Sequence, residues 1–173
     1  MAVNQFNLAQ YQRAERKLLL TVAEWTEGSD TERELLGRRT EDSSIEYNAD
    51  QSTSTDILGI NYTDINKTQP QQDFDPYLIL GGSKLGAKLN DIRKRNALSE
   101  LSQFTVYVIT GYVGNSTDGY EAERHINCTI SYNSLGGDAN VNMPISVYLS
   151  NDITNGTVNK LSDDFTFTPN VSI

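Results

Sequence analysis

The 173-residue chain carries 23 Asp and Glu residues against 14 Lys and Arg residues, a formal net charge of −9 at pH 7. This acidity argues against a protein that grips nucleic acid, because nucleic-acid binders usually carry an excess of basic residues. A single cysteine, Cys128, excludes a disulfide framework, and a single histidine, His125, excludes the usual histidine-rich zinc sites.

The length predicts one domain over residues 1–173, with a polar N-terminal arm at 1–14 and a polar, acidic loop or hairpin region at 40–75. No run reaches the ~18 apolar residues that a membrane helix needs, so we expect no membrane partner. The N-terminus also lacks the apolar core of a secretory signal. We therefore expect the protein to be made and kept in a cytoplasm-like compartment.

Alternation of apolar and polar side chains predicts half-buried β-strands along most of the chain. The run Lys17–Trp25 predicts the first of them. Residues 104–109 are apolar or aromatic at nearly every position, which predicts a central strand. Residues 120–132 alternate most regularly, and His125 falls on the face that we expect to be wet.

Turn residues predict a hairpin after this strand. The segment Asn133–Asp138 contains two adjacent glycines, which reach positive φ without steric cost, and residues 141–149 alternate again. Asn155-Gly156 predicts a further turn, and residues 165–167 predict a last short strand.

Residues from about 83 to 97 predict the one helix. Leu85, Leu89 and Ile92 recur at i, i+4 and i+7 and form a short apolar stripe, and Ser83 is the expected N-cap. Basic residues crowd the last turn, where they favour the negative end of the helix dipole. The fold class that we predict is mainly β, an antiparallel β-sandwich or partial barrel with one flanking α-helix.

The motifs that could carry chemistry are weak. Gly81-Gly82-Ser83-Lys84 has the composition of a phosphate loop, but a Walker loop ends in Gly-Lys-Ser/Thr, and the order here is different. His125 and Cys128 lie on opposite faces of their strand by parity, which disfavours a nucleophile pair. Without a nucleophile, a metal set or a cofactor loop, we expect a structural protein that is not an enzyme and has no cofactor.

Four segments in a fixed order carry a resemblance to a known family. They are the acidic strand-loop-strand Glu41–Gly59, the following Asn66-Lys67-Thr68, the helix after Gly81-Gly82, and the hairpin residues Ser134–Gly137. Together they resemble the major tail tube proteins of tailed bacteriophages, most closely those of phages and prophages of Gram-positive bacteria. The resemblance spans most of the chain, from Lys17 to Ser150.

The resemblance implies a structural virion protein of the phage tail, assembled in the cytoplasm of the bacterial host. Homohexameric rings would stack into a hollow tube for genome delivery, and the phage DNA would pass through without specific binding. The implied partners are further copies of the chain, the tape-measure protein and the tail-end or baseplate proteins. Two alternatives stay open: the inner tube of a contractile injection particle or bacteriocin, which adds a sheath protein as a partner, and a virion decoration β-sandwich protein.

Charge and strand parity predict which residues would line such a tube. A basic wall would hold DNA by releasing counterions, whereas an acidic or polar wall lets it slide. The predicted lumen-facing residues are Asp42, Ser44, Glu46, Asn48, Thr53, Thr55, Glu121, Glu123, Asn127, Thr129 and Ser131, with Asn142 and Ser146 as further candidates. The helix residues predicted to contact acids of a neighbouring subunit are Lys84, Arg93, Lys94 and Arg95.

Overall fold

The fold is an antiparallel β-sandwich with one flanking α-helix, which a computed structural model describes over residues 6–171. The first five residues of the predicted N-terminal arm therefore lie outside the described residues. The strands, in chain order, are β1 Leu19–Glu27, β2 Asp30–Leu35, β3 Ile45–Glu46, β4 Asp50–Thr55, β5 Asn61–Lys67, β6 Gln71–Phe74, β7 Phe104–Asn115, β8 Gly119–Tyr132, β9 Ile145–Tyr148, β10 Ile153–Val158 and β11 Phe167–Pro169. The helix α1 is Lys84–Arg95, and short 3₁₀ helices span Arg16–Leu18 and Leu98–Ser102.

Strand β8 belongs to two layers. Its first half pairs with β7 and β10 in an outer sheet of order β2-β1-β7-β8-β10-β11. Its last four residues, 129–132, pair with β9, and β6 and β3 follow, so that β8-β9-β6-β3 form a four-stranded layer. Within residues 6–171, the strands β4 and β5 pair only with each other.

A bulge at Asn127 separates the two halves of β8. Asn127 has a φ of 56°, and the register with β7 shifts between the pairs Phe104–Cys128 and Val106–His125. One inserted residue reverses which face each later side chain occupies. Ala122 therefore packs in one core and Cys128 in another. The sequence predicts one solvent-exposed face along residues 120–132. In the structure, the alternation of the side chains instead reverses at Asn127.

Two apolar cores lie on the two faces of β1 and β7. The main core, between the outer sheet and the four-stranded layer, takes Phe104, Val106 and Val108 from β7. The second core, beneath the C-terminal segment, takes Tyr107 and Ile109. This alternation confirms that residues 104–109 form a central strand covered on both sides.

The helix is confirmed, and its apolar stripe closes the main core. Leu85, Leu89 and Ile92 are all fully buried there. The hydroxyl of Ser83 accepts a hydrogen bond from the Gly86 amide at 3.1 Å, as an N-cap does. None of the helices within residues 6–171 is long and apolar enough to cross a membrane.

The predicted turn at Asn155-Gly156 is wrong. Both residues lie inside β10, which pairs with β8 on one side and β11 on the other. A Cβ atom on Gly156 would collide with the carbonyl oxygen of Thr168 and would lie 2.6 Å from the ring of Phe167. The glycine is there because β11 approaches closely, and its turn propensity is overridden by strand pairing.

Candidate assembly surfaces

The four-stranded layer turns one face to the main core and presents a polar face on the other side. Residues directly opposite each other on paired antiparallel strands share a face. Ile130 and Val147 are opposite each other and fully buried, which marks the core face. The alternate positions make up the polar face, which consists of Glu46, Gln71, Asp73, Thr129, Ser131, Ser146 and Tyr148. It carries two carboxylates and no lysine or arginine.

The structure brings four of the predicted lumen residues and candidates together on this polar face. They are Glu46, Thr129, Ser131 and Ser146. Sequence reasoning missed the members from β6, Gln71 and Asp73. The alternation of β6 was hidden because the residue between them, Gln72, is polar and yet only 1% exposed.

Other predicted lumen residues lie elsewhere. Thr53 and Thr55 belong to the separate β4–β5 hairpin. Asp42 and Ser44 are exposed residues of the loop before β3. The side chain of Asn48 donates to the carbonyl oxygen of Gln69 at 3.1 Å and closes the turn beyond β3. The further candidate Asn142 accepts a hydrogen bond from the Tyr77 amide at 2.8 Å, in the loop that precedes β9.

The bulge separates the predicted glutamates from the polar face. Glu123 is opposite Val108, a member of the main core, and Glu121 is opposite Thr110 on the same side of β8. They therefore project to the other side of β8 from Thr129 and Ser131. Asn127 is the exposed bulge residue itself.

Parity predicts that His125 lies on the solvent-exposed face, and this prediction is wrong. The residue is buried and only 2% exposed. Its Nδ1 lies 2.9 Å from the carbonyl oxygen of Ser150, and its Nε2 lies 3.3 Å from a carboxylate oxygen of Glu123. The hydrogen bond from His125 lowers the pKa of Glu123. The thiol of Cys128 meets the backbone carbonyl of His125 and not its ring, and burial raises the pKa of that thiol.

The four-stranded layer has two edges that no strand within residues 6–171 covers. Pairing between β7 and β8 ends at Phe104–Cys128, so no strand within these residues pairs with Thr129–Tyr132 on that side. The 3₁₀ helix Leu98–Ser102, which leads into β7, contacts β8 here, and the Thr129 hydroxyl donates to that of Ser102 at 3.0 Å. At the other edge, Ile45–Glu46 pairs only with β6.

The edges of the outer sheet differ from these. The edge strand β2 carries four charged residues, and the edge strand β11 is short and contains Pro169. Charged side chains and proline are the devices by which edge strands avoid pairing with other chains. Both edges of the outer sheet are therefore protected, whereas the Thr129–Tyr132 edge of the four-stranded layer carries neither a charged side chain nor a proline.

Two of the four basic helix residues predicted to reach a neighbour have partners in their own chain. Lys84 pairs with Glu32, which raises the pKa of Lys84. Arg95 bonds Glu100 at 2.9 Å, and this contact, followed by that of Lys88, lowers the pKa of Glu100 to about 2. These ion pairs tie the helix to β2 and to the following 3₁₀ turn.

The other two predicted contacts behave differently. Arg93 donates to Asn90 on the same helix at 2.9 Å. Lys94 is exposed and makes no salt bridge among residues 6–171. Of the four, it is the residue whose charge is most available to another chain.

The Gly81–Lys84 loop lies at a cleft of about 700 Å³ between β2 and the start of α1. The carboxylate of Glu34 occupies the helix N-terminus there. It accepts hydrogen bonds from the Leu85 amide at 2.9 Å, the Ser83 hydroxyl at 3.0 Å and the Tyr77 hydroxyl at 2.7 Å. An internal carboxylate thus takes the place that a phosphate would need. Within residues 6–171, no group of three or more potential ligand residues is arranged to hold a metal ion.

The β4–β5 hairpin stands clear of the sandwich. Every residue of both strands is exposed. Its tip is ordered by Asp56, which accepts from the amides of Leu58 at 2.8 Å and Ile60 at 2.9 Å and from the Tyr62 hydroxyl at 3.2 Å. The bond from Ile60 is the largest of the hydrogen bonds that lower the pKa of Asp56.

Comparison with known proteins finds this architecture in two solved structures. No protein-family model matches the chain, and no curated protein matches its sequence. A solved structure of the anti-feeding prophage cap, which terminates a tube, superimposes with a TM-score of 0.51 at 14% identity and covers 91% of this chain and 99% of its own. A chain of the PVC sheath-tube complex, an extracellular contractile injection system in the extended state, gives 0.50 at 13% identity and covers 87% of this chain and 95% of its own.

The chain shares its fold with these two structures, a tube-terminating cap and a chain of a sheath-tube complex. The predicted fold class is therefore confirmed: mainly β, antiparallel, with one main helix. The second structure comes from a contractile injection system, one of the alternatives that the sequence left open. The Gram-positive phage type stays a prediction.

Proposed function

We propose that this protein is a structural subunit of a phage-tail-like tube, in which copies join side by side into rings and the rings stack. The observation that carries the proposal is the four-stranded layer, with its polar face and two edges with which no other strand among residues 6–171 pairs. Pairing the Thr129–Tyr132 edge of one copy with the Ile45–Glu46 edge of the next would extend the layer from copy to copy. A ring closed in this way leaves no free edge.

The dimensions of such a ring suit a conduit. If six copies each contribute four strands, a strand spacing of about 4.8 Å and a tilt near 40° give a backbone diameter of roughly 48 Å. Side chains reaching about 5 Å from each wall leave a bore of about 38 Å. Duplex DNA, or an extended protein such as a tape measure, would pass through this bore.

The polar face would line the bore. Its charged members are Glu46 and Asp73, so the wall of a ring would be acidic and would not bind phosphates by releasing counterions. Genome or cargo would then slide without specific binding. In this role the subunit performs no catalysis, and its partners are its own copies, a tape-measure protein and tail-end or baseplate proteins.

A second candidate differs in particle type. The likeness to tube and cap chains of contractile injection systems favours an inner tube surrounded by a sheath, with a sheath protein as an additional partner. Genome delivery would then be replaced by delivery of another cargo. The same wall chemistry serves both candidates, because a polar surface without cations adheres weakly to DNA.

Electron microscopy of the purified protein tests the proposal. We expect negatively stained samples to show hollow rings or stacked tubes at high protein concentration. A protein that stays a monodisperse monomer under these conditions contradicts the proposed function.

Cysteine labelling tests which face lines the bore. Asp73→Cys places a thiol on the polar face, whereas Thr166→Cys places one on the exposed C-terminal segment, beyond the second core. The native Cys128 is buried, so labelling of either variant reports on the introduced cysteine. A maleimide attached to a protein wider than the bore should label assembled Thr166→Cys, and should label Asp73→Cys only after dissociation. Equal labelling of both assembled variants contradicts the lumen assignment.

A further inference from the structure

The tip of the β4–β5 hairpin presents apolar side chains to water on a fixed backbone. Ile57 is 102% exposed and Leu58 is 78% exposed. The carboxylate of Asp56 accepts hydrogen bonds from the amides of Leu58 and Ile60, so the two side chains are presented from an ordered loop. An isolated two-stranded hairpin is marginally stable in water. A preordered apolar tip that touches nothing on its own sandwich has the properties of a docking element.

A second group of exposed apolar residues lies at the end of the sandwich where the 77–80 and 134–142 loops meet. A hydrogen bond of 3.0 Å from the Ile79 amide to the Val141 carbonyl joins the loops. The exposed fractions are 41% for Ile79, 37% for Leu80, 47% for Leu135 and 53% for Val141. We call these four residues the far-end group.

The chain path puts the hairpin tip and the far-end group at opposite ends of the same layer. The hairpin leads into β6 at Gln71, and the loop carrying Ile79 leaves β6 beyond Phe74. Strand β9 runs antiparallel to β6 and begins opposite Phe74, so its preceding loop with Val141 lies at that same far end. When two copies are stacked along the strand direction, the far-end group of one copy therefore faces the hairpin tip of the other.

We propose that the tip residues Ile57 and Leu58 of one copy dock on the far-end group of the next copy along the tube. This inference rests on the proposed function and names the contact by which rings stack. Because the two surfaces differ and lie at opposite ends, the contact is head-to-tail and repeats without limit along the axis. One contact is small, but every copy in a ring makes it at once, and linked contacts reinforce one another.

Surface variants separate stacking from ring closure. Leu58→Asp should leave single rings and reduce tube length about tenfold or more, since the loss is repeated around each ring. Val141→Asp, on the opposing surface, should give the same result. Ile65→Asp is the matched control, because Ile65 is 63% exposed on the same hairpin but away from its tip. Tubes of unchanged length from Leu58→Asp overturn the inference.

Cross-linking between two variants tests the contact directly. Proteins carrying Leu58→Cys and Val141→Cys are assembled together and treated with a short bismaleimide. A dimer that forms only in the mixture supports the contact, and no dimer above that of a Thr166→Cys and Val141→Cys mixture contradicts it. If wild-type protein makes no rings at all, the proposed function fails. If wild-type rings stack and the two cysteine variants assemble into tubes without forming this cross-link, only the docking contact is refuted.

Discussion

The hydroxyl of Thr21 on β1 donates a hydrogen bond of 2.7 Å to the side-chain oxygen of Gln72 on β6, across the interior of the sandwich. Both residues are buried, and the Gln72 amide continues to the hydroxyl of Ser43 at 3.1 Å. The bond joins the outer sheet to the four-stranded layer at a defined position. A buried polar pair of this kind fixes how two layers align, because any other alignment leaves both groups unpaired.

Gln72→Leu should lower the free energy of unfolding by about 1–3 kcal/mol, because it leaves the Thr21 hydroxyl buried without an acceptor. Urea unfolding measures this. Adding Thr21→Val should restore part of the loss, since both polar groups are then gone. Gln69→Leu, at an exposed position nearby in sequence, is the control and should change little. Equal losses at positions 69 and 72 contradict the assigned role.

Acid should weaken the attachment of the helix through Glu100. The hydrogen bond from Arg95, followed by that from Lys88, lowers the pKa of Glu100 from an ordinary 4.5 to about 2 in the folded protein. A lowered folded-state pKa contributes stability above the unfolded value, and this contribution is lost as pH falls from about 4.5 to about 2.

Glu100→Gln should therefore reduce the loss of stability over this acid range, as measured by urea midpoints at about pH 3 and about pH 7. High salt should reduce the same contribution, since the ion pairs are partly exposed. Glu41→Gln, in an exposed loop, provides the comparison. If both variants keep the wild-type pH dependence, the Arg95–Glu100 contact does not contribute to it.

Gly156→Ala should disrupt the pairing of β10 with β11. The added methyl group would meet the Thr168 carbonyl and the Phe167 ring, so backbone must shift, at a cost of about 1–3 kcal/mol in unfolding free energy. Gly136→Ala is the matched control, because a Cβ there meets nothing within 4 Å. A Gly156→Ala protein as stable as the control contradicts the close approach.

Lys94→Glu should weaken association between copies while costing the isolated subunit at most about 1 kcal/mol through the helix dipole. Lys94 is exposed and outside the ion pairs of the helix, whereas Arg95 bonds Asp91 at 2.7 Å within its own chain. Sedimentation velocity reports association, and urea unfolding reports stability. Arg95→Gln should show the reverse pattern. Lys94→Glu rings that form as well as wild-type rings contradict a contact at this position.

Local patterns predicted the elements whose causes are local. The stripe of Leu85, Leu89 and Ile92 and the cap at Ser83 depend only on helix geometry, and both are confirmed. The two-sided burial of residues 104–109 likewise follows from their composition. Gln72 escaped prediction because its burial depends on Thr21, which is 51 residues away.

The candidate surface was predictable only within each half of β8. Parity predicts that Thr129 and Ser131 share a polar face with Glu46, and this shared face is confirmed. Extending the same parity back to Glu121 failed, because no residue pattern announces the extra residue at Asn127. The helix pattern alone predicts that Lys84 and Arg95 contact a neighbour, because their partners, Glu32 and Glu100, come from other elements that only the folded chain brings close.

Because β8 is one strand of 14 residues shared by both layers, the sandwich is a single sheet creased at Asn127. At the crease one continuous strand joins the two layers. On the opposite side, the layers are held by side chains such as those of Thr21 and Gln72 and by the loop that runs from β2 to β3. If core contacts are lost, the two layers should separate first on the side opposite the crease. Backbone amides along the crease should then be the last to exchange with solvent.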